Sequence, residues 1–144
     1  LTDADARAMA VYLQALPQQD RKTPATVAAP PSSAMARGGK VYEQQCAHCH
    51  GDRGQGEPGA FPALAGNRAV TLADPTNLVR VVLQGGYLPA TAGNPRPHGM
   101  PPFQHLLGDE DVAAVATFVR NSWGHQAAGV GTIEVYRARE RRSP

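Results

Sequence analysis

Aromatic residues are scarce in this chain, at 6% of 144 residues, and charged side chains reach only 18%. So few rings make a thin core for this length, and a bound apolar group that joins the core would make up the shortfall. Long hydrophobic runs are missing too. None approaches the roughly 18 residues needed to cross a bilayer. Neither sign of charge dominates: 14 Lys and Arg stand against 12 Asp and Glu, a formal charge of +2. That balance offers no concentrated basic face and argues against a nucleic-acid partner. No leader peptide is recognisable, and the chain opens inside a periodic segment, as a mature product or an excised piece would. Glycine and proline are plentiful, 15 and 13 residues or about a fifth of the total, so much of the chain reads as loop. The length suits one domain with a short appendage.

Cysteine is limited to two residues, and both fall in one pentapeptide, Cys46-Ala47-His48-Cys49-His50. C-x-x-C-H reads as an attachment site for a c-type haem. Two thiols three positions apart can form thioethers with the two vinyl groups of one haem, and the adjacent His50 then offers an imidazole to the iron. Two other readings compete. A thioredoxin-like dithiol uses C-x-x-C but expects a βαβ context, and no strand pattern surrounds this motif. A structural zinc site needs four ligands, usually from two such clusters, and one cluster is present. The haem reading predicts one covalent haem c and no disulfide.

Haem iron in electron carriers is commonly held by His and Met, and Met raises the potential. Met9 belongs to a separate helical segment, and Met35 lies near the start of the cysteine-bearing helix, on the wrong side. Met100 stands in Gly99-Met100-Pro101-Pro102-Phe103, where two prolines hold the chain extended. A thioether on a stiff loop is a candidate sixth ligand, the alternative being a residue that fills space near the haem. His98 and His105 are the rival ligands. His48 points away from the iron, and His125 reads as surface. A proximal His normally donates its other ring N–H to a carbonyl or carboxylate. The carbonyl of Pro62, in Phe61-Pro62-Ala63-Leu64, is a candidate acceptor, unless Pro62 is an ordinary turn residue. Trp123 and Arg80 are candidate partners for the haem propionates and Tyr87 a weaker one; packing or surface roles compete for each.

The spacing predicts a helix from about Ser33 to Gln45, capped by Ser32 or Ser33. Asp109 to Asn121 forms a second, with acid in its first turn, Arg120 in its last, and Val112, Val115, Ala116 and Val119 on one face. Phe118 is expected against Gly38. A third helix, Pro75 to Gln84, should turn Leu78, Val81 and Val82 to the haem edge and stop at Gly85 and Gly86. Residues 86–102 read as the loop that delivers Met100. Three or four short helices around a haem make an all-α domain over 34–126, with a C-terminal extension over 127–144. Residues 1–13 align with 107–119: Leu1, Asp3, Asp5, Ala8 and Ala10 match Leu107, Asp109, Asp111, Ala114 and Ala116, and Tyr12 stands opposite Phe118. Residues 1–17 therefore read as the last helix of a preceding haem domain, or else as an extra amphipathic helix of this one. Its apolar stripe (Val11, Tyr12, Ala15) needs cover, from this domain or from another chain in a homodimer. A Pro-rich stretch, 18–33, reads as a stiff linker. Arg137, Arg139, Arg141 and Arg142 form a basic strip, which either docks an acidic partner or anionic lipid or is a solvated terminus.

With C-A-H-C-H as its haem motif, the domain resembles a class I c-type cytochrome, and the twelve-residue step from His50 to Pro62 is similar to that family's. The stretches Phe61-Pro62-Ala63-Leu64-Ala65-Gly66-Asn67, Val82-Leu83-Gln84-Gly85-Gly86, Met100-Pro101-Pro102-Phe103 and Val119-Arg120-Asn121-Ser122-Trp123-Gly124 resemble more narrowly the last haem domain of the multi-haem cytochrome c subunit of membrane-bound quinoprotein alcohol dehydrogenases. The similarity runs over about 35–137, and over 1–17 for the tail of a predecessor. It implies a class I cytochrome c fold, a periplasmic location or the periplasmic face of the inner membrane, and neighbouring cytochrome domains. It also implies one-electron transfer from a dehydrogenase towards quinone or an oxidase. Two permanent ligands leave no open site on iron, so an electron carrier is expected rather than an enzyme. A haem peroxidase or a gas sensor would require Met100 to leave.

Overall fold

The computed structural model describes residues 2–17, 27–87, 89–92, 95 and 98–140. Leu1, most of the expected linker (18–26) and Arg141 and Arg142 lie outside these. The described residues form helices α1 (Asp3–Ala15), α2 (Ser32–Gln45), α3 (Ala47–His50), α4 (Thr76–Gln84), α5 (Asp109–Arg120) and α6 (Thr132–Glu140). A two-residue antiparallel ladder joins β1 (Gly86–Tyr87) to β2 (Gly99–Met100). The ladder lies in the stretch expected as plain loop. Strands of two residues are too short to leave a period in the sequence.

The scaffold is the crossing of α2 and α5. Gly38 makes it possible: a Cβ there would overlap the Ala114 carbonyl and stand 2.7 Å from Phe118 Cβ. The Phe118 ring itself lies one residue along, over Gly39, and tilts against Tyr42 at 5.4 Å. Val112, Val115, Ala116 and Val119 are all buried, as their spacing predicts. No serine caps α2. Pro31 occupies the N-cap position and its carbonyl accepts the Met35 N–H at 3.1 Å, while the serine hydroxyls stay in water. Arg37 pairs with Glu110 and Asp111 across the crossing. The pairs are solvent-exposed and contribute little.

α4 turns differently from expectation. Val79 and Leu83 are its buried face, Leu78 and Val82 pack at the edge of the same core, and Val81 reaches the cleft described below. The reason is α6. Val135 and Ala138 of that helix, with Val130 before it, join Val79, Leu83, Val112 and Ala116 in one apolar cluster and draw the 79/83 face inward. The C-terminal segment is thus knitted into the domain. Thr117 Oγ1 accepts the Val130 N–H at 2.8 Å, and Arg139 binds Asp109 and the carbonyls of Gln104 and Leu107. Arg139 therefore faces inward, apart from the expected basic strip.

Arg120 stands in the last turn of α5 as expected, but it is buried there. It is 1% exposed and donates to the carbonyls of Val70, Leu72 and Ala128, each at 2.8 Å. His125 is half-buried rather than on the surface. Its Nδ1 donates to the Val119 carbonyl and its Nε2 accepts the Gly66 N–H, tying the loop before α4 to the end of α5. At the other end of the chain, Thr2 and Asp5 form a reciprocal cap on α1. No residue of α1 is buried, and Met9, Val11, Tyr12 and Leu13 are all more than half exposed.

Candidate functional site

Cys46 ends α2 and begins the single turn of α3. His50 N–H returns to the Cys46 carbonyl at 2.9 Å, and Gly51 N–H to that of Ala47 at 2.7 Å. One helical turn sets residues i, i+3 and i+4 on a common face. Cys46, Cys49 and His50 accordingly line one cleft, while His48 is exposed. The loop beyond returns at once: Gly56 N–H donates to the His50 carbonyl, and Leu64 and Ala65 N–H to that of Gly54. This brings the Pro62 carbonyl to 2.9 Å from His50 Nδ1. A carbonyl only accepts, so the proton sits on Nδ1 and the Nε2 lone pair is left for a metal.

The rest of the cleft comes from distant segments. Gly86, Tyr87, His98, Gly99, Met100, Pro101 and Phe103 line it, with Phe61, Val81 and Gln45. Met100 is brought there by the ladder with β1 and by Phe103 and Gln104 N–H, which donate to the last carbonyls of α4, Val82 and Leu83. His98 lies in the same cleft, its ring 4.8 Å from that of Phe61; His105 does not line it. The cleft is partly open to solvent, and its walls are mainly apolar.

Of the three residues considered for the propionates, Tyr87 lines the cleft; Arg80 and Trp123 are not among its described lining residues. The Trp123 indole instead packs behind the cysteine turn, 5.1 Å from the Tyr42 ring, edge-on to Phe118 and close over Gly54. Tyr42 completes this support by donating its hydroxyl to the Gly51 carbonyl at 2.6 Å. Phe61 and Phe103 contribute walls that sequence reasoning assigned no role, and Val81 faces the cleft as expected. Phe61 and Phe103 do stand in the stretches that carry the resemblance. Tyr42 and Arg120 had no signal beyond their helical positions.

The chemistry of this set discriminates among the readings. Burial, and then the nearby Cys49, push the Cys46 thiol up to about 11. Reactive dithiols need a lowered pKa, so redox chemistry at the sulfurs is disfavoured. Among the described residues no cluster of three His, Cys, Asp or Glu side chains could hold a bare metal ion. Zinc therefore lacks its ligands among the described residues. Two thiols, an oriented imidazole and an apolar cleft do suit a haem, which brings four ring nitrogens of its own.

The cytochrome c family model matches residues 35–123, a span that holds the cysteine turn, the cleft and the α2–α5 crossing. The chain belongs to the cytochrome c family. This cytochrome carries one covalently bound haem c at the spacing of Cys46 and Cys49, and its function is electron transfer through that haem. It is 37% identical to the cytochrome c subunit of the alcohol dehydrogenase (quinone) of Gluconobacter oxydans, over 99% of this chain and 32% of that one. With the gluconate 2-dehydrogenase cytochrome c subunit of Pantoea cypripedii it shares 35% identity, over 93% of this chain and 32% of the relative. With cytochrome c-552 of Thermus thermophilus it shares 39%, over 63% of each. The cytochrome spans about a third of the length of the dehydrogenase subunits it matches.

Proposed function

We propose that this cytochrome relays single electrons from a dehydrogenase towards membrane quinone or an oxidase, with its iron held between His50 Nε2 and Met100 Sδ. Cys46 and Cys49 supply the thioether sulfurs, and Pro62 fixes the His50 ring. The observation that carries the reading is one apolar cleft lined by both the Pro62-oriented His50 and the strand-held Met100. Bound there, the haem supplies a reversible one-electron couple. The protein holds both ligands in place and keeps water from the iron, which sets the potential. The dehydrogenase partner is taken from relatives that are cytochrome c subunits of dehydrogenases, and a location outside the cytoplasm from the covalent attachment of the haem. No helix among the described residues is long and apolar enough to cross a membrane.

His98 is the rival ligand, because it lines the same cleft. Replacing each residue by Ala decides between them. Met100→Ala should remove the sulfur-to-iron band of the oxidised protein, lower the potential and open the iron to CO, while His98→Ala leaves all three unchanged. The reverse pattern would make His98 the ligand. Rapid CO binding or peroxide turnover by the unaltered protein would favour a gas sensor or peroxidase instead.

Residues 1–17 are proposed to be the closing helix of a preceding cytochrome domain. The exposed Met9, Tyr12 and Leu13 align with Val115, Phe118 and Val119, which cover α2 here. In this chain alone that stripe could pair two copies. Sedimentation of the parent and of Tyr12→Asp tests this: a dimer that Tyr12→Asp dissolves supports pairing, and a monomeric parent excludes it. Contact of the basic C-terminal residues with a membrane surface is testable by vesicle binding with and without anionic lipid.

A further inference from the structure

Met100 sits on a strand of two residues, paired across the ladder with Gly86, while Gly99 pairs with Tyr87. Tyr87 is 84% exposed, yet its ring lines the cleft. The ring lies so closely over Gly99 that a Cβ there would overlap it. On the inner side the strand is held by its backbone. Gly85 takes φ of +69°, and a Cβ on it would collide with the Met100 carbonyl. Beyond Met100, Phe103 and Gln104 N–H are tied to the end of α4. Between those ties, Pro101 and Pro102 have no N–H to give. The two-residue ladder is therefore a short attachment, and the Tyr87 ring clasps it from the solvent side.

We propose that Tyr87 is a positioning residue, whose ring latches the Met100 strand against Gly85 and Gly86 and so keeps the thioether from being displaced by competing ligands. The proposal rests on Met100 being the sixth ligand. A thioether is a weak neutral donor. How readily another ligand replaces it depends on the free energy of lifting its strand away. A competitor binds only the lifted form, so its apparent affinity scales with the population of that form. Covering the Gly99 backbone with a ring lowers that population. The ring carries the effect, and the hydroxyl is dispensable.

The test is an imidazole titration of the oxidised, haem-loaded chain, with the sulfur-to-iron band followed in parallel. Tyr87→Ala should bind imidazole about five- to tenfold more tightly than the parent, and Tyr87→Phe within about twofold of it. Gly99→Ala, which pushes the ring off the strand from the other side, should shift in the same direction as Tyr87→Ala and carries the test if Tyr87→Ala does not mature. Parent-like affinity in Tyr87→Ala, or in Gly99→Ala where that variant stands in, overturns the latch. So does a Tyr87→Phe that behaves like Tyr87→Ala. Met100→Ala separates the two levels. Loss of the band there, with no change in imidazole affinity on altering Tyr87, leaves the ligand in place and removes only the latch. Retention of the band removes both.

Discussion

A hydrogen atom is the largest side chain that position 38 accepts. Gly38→Ala should lower stability by about 2–3 kcal/mol through overpacking of the α2–α5 crossing. Gly108→Ser, at the uncapped start of α5, should change it by only a few tenths, in the stabilising direction. Urea midpoints compare the two. Arg120 is a second case where one residue holds several segments. Burial pushes its pKa down, but a guanidinium stays charged, and its three carbonyl partners have no donor without it. Arg120→Leu should cost about 3 kcal/mol, and Arg120→Lys should recover less than half, because an ammonium cannot fork between Val70, Leu72 and Ala128. Tyr42 gives a pH signature. Burial, ahead of the nearby Cys46 and Asp52, pushes its phenol from 10.0 to about 12. A group whose pKa is raised on folding stabilises fully below its unfolded pKa and loses that contribution as pH climbs through the folded one. The chain should therefore weaken between pH 10 and about 12, by at most roughly 3 kcal/mol. In the haem-bearing chain Cys46 is a thioether and cannot charge, which leaves burial as the main cause. Tyr42→Phe should abolish this loss, at a cost of about 1 kcal/mol near neutrality for the unpaired Gly51 carbonyl. Unfolding at pH 8 and pH 11 reads both effects.

The helices divide into those the core needs and one it does not. α6 was expected as part of an appendage, because its sequence is short, arginine-rich and weakly periodic. Its value lies in Val135, fully buried against Val79 and Leu83. Val135→Ala should cost about 2 kcal/mol, and Val135→Asp should prevent a cooperative transition. α1 is the converse, with strong capping signals and no buried residue. Deleting residues 1–26 should leave the urea midpoint of the remaining domain unchanged within error. A fall of more than about 1 kcal/mol would mean that α1 packs on the domain after all.

At the scale of the molecule, the scarcity of aromatic residues is answered by the haem. Tyr12 and Tyr136 stay exposed, and the other six rings fall in two groups. Tyr42, Phe118 and Trp123 brace the cysteine turn from behind, and Phe61, Tyr87 and Phe103 line the cleft. Replacing both Cys46 and Cys49 by Ala, so that no haem is attached, should broaden the thermal transition and lower its midpoint by 10 °C or more, since a few kcal/mol shifts a domain of this size by that amount. The prosthetic group, the turn that sets Cys46, Cys49 and His50 on one face and the paired faces of α2 and α5 were legible from residue order, because each depends on local geometry: i, i+3, i+4 spacing puts side chains on one face whatever surrounds them. The resemblance to class I cytochromes, carried by short stretches such as Met100-Pro101-Pro102-Phe103, pointed to Met100, which folding does place in the cleft. Other features needed the folded chain. Arg120 reads as a helix-end cation until three carbonyls from 48 and 50 residues upstream and 8 downstream close around it. Which of Trp123, Arg80 and Tyr87 lines the cleft is seen only in the folded chain, and the Tyr87–Gly99 contact spans a ladder too short to show a period. Local periodicity is written into neighbours along the chain, whereas burial and long-range partnership exist only once folding has brought remote segments together.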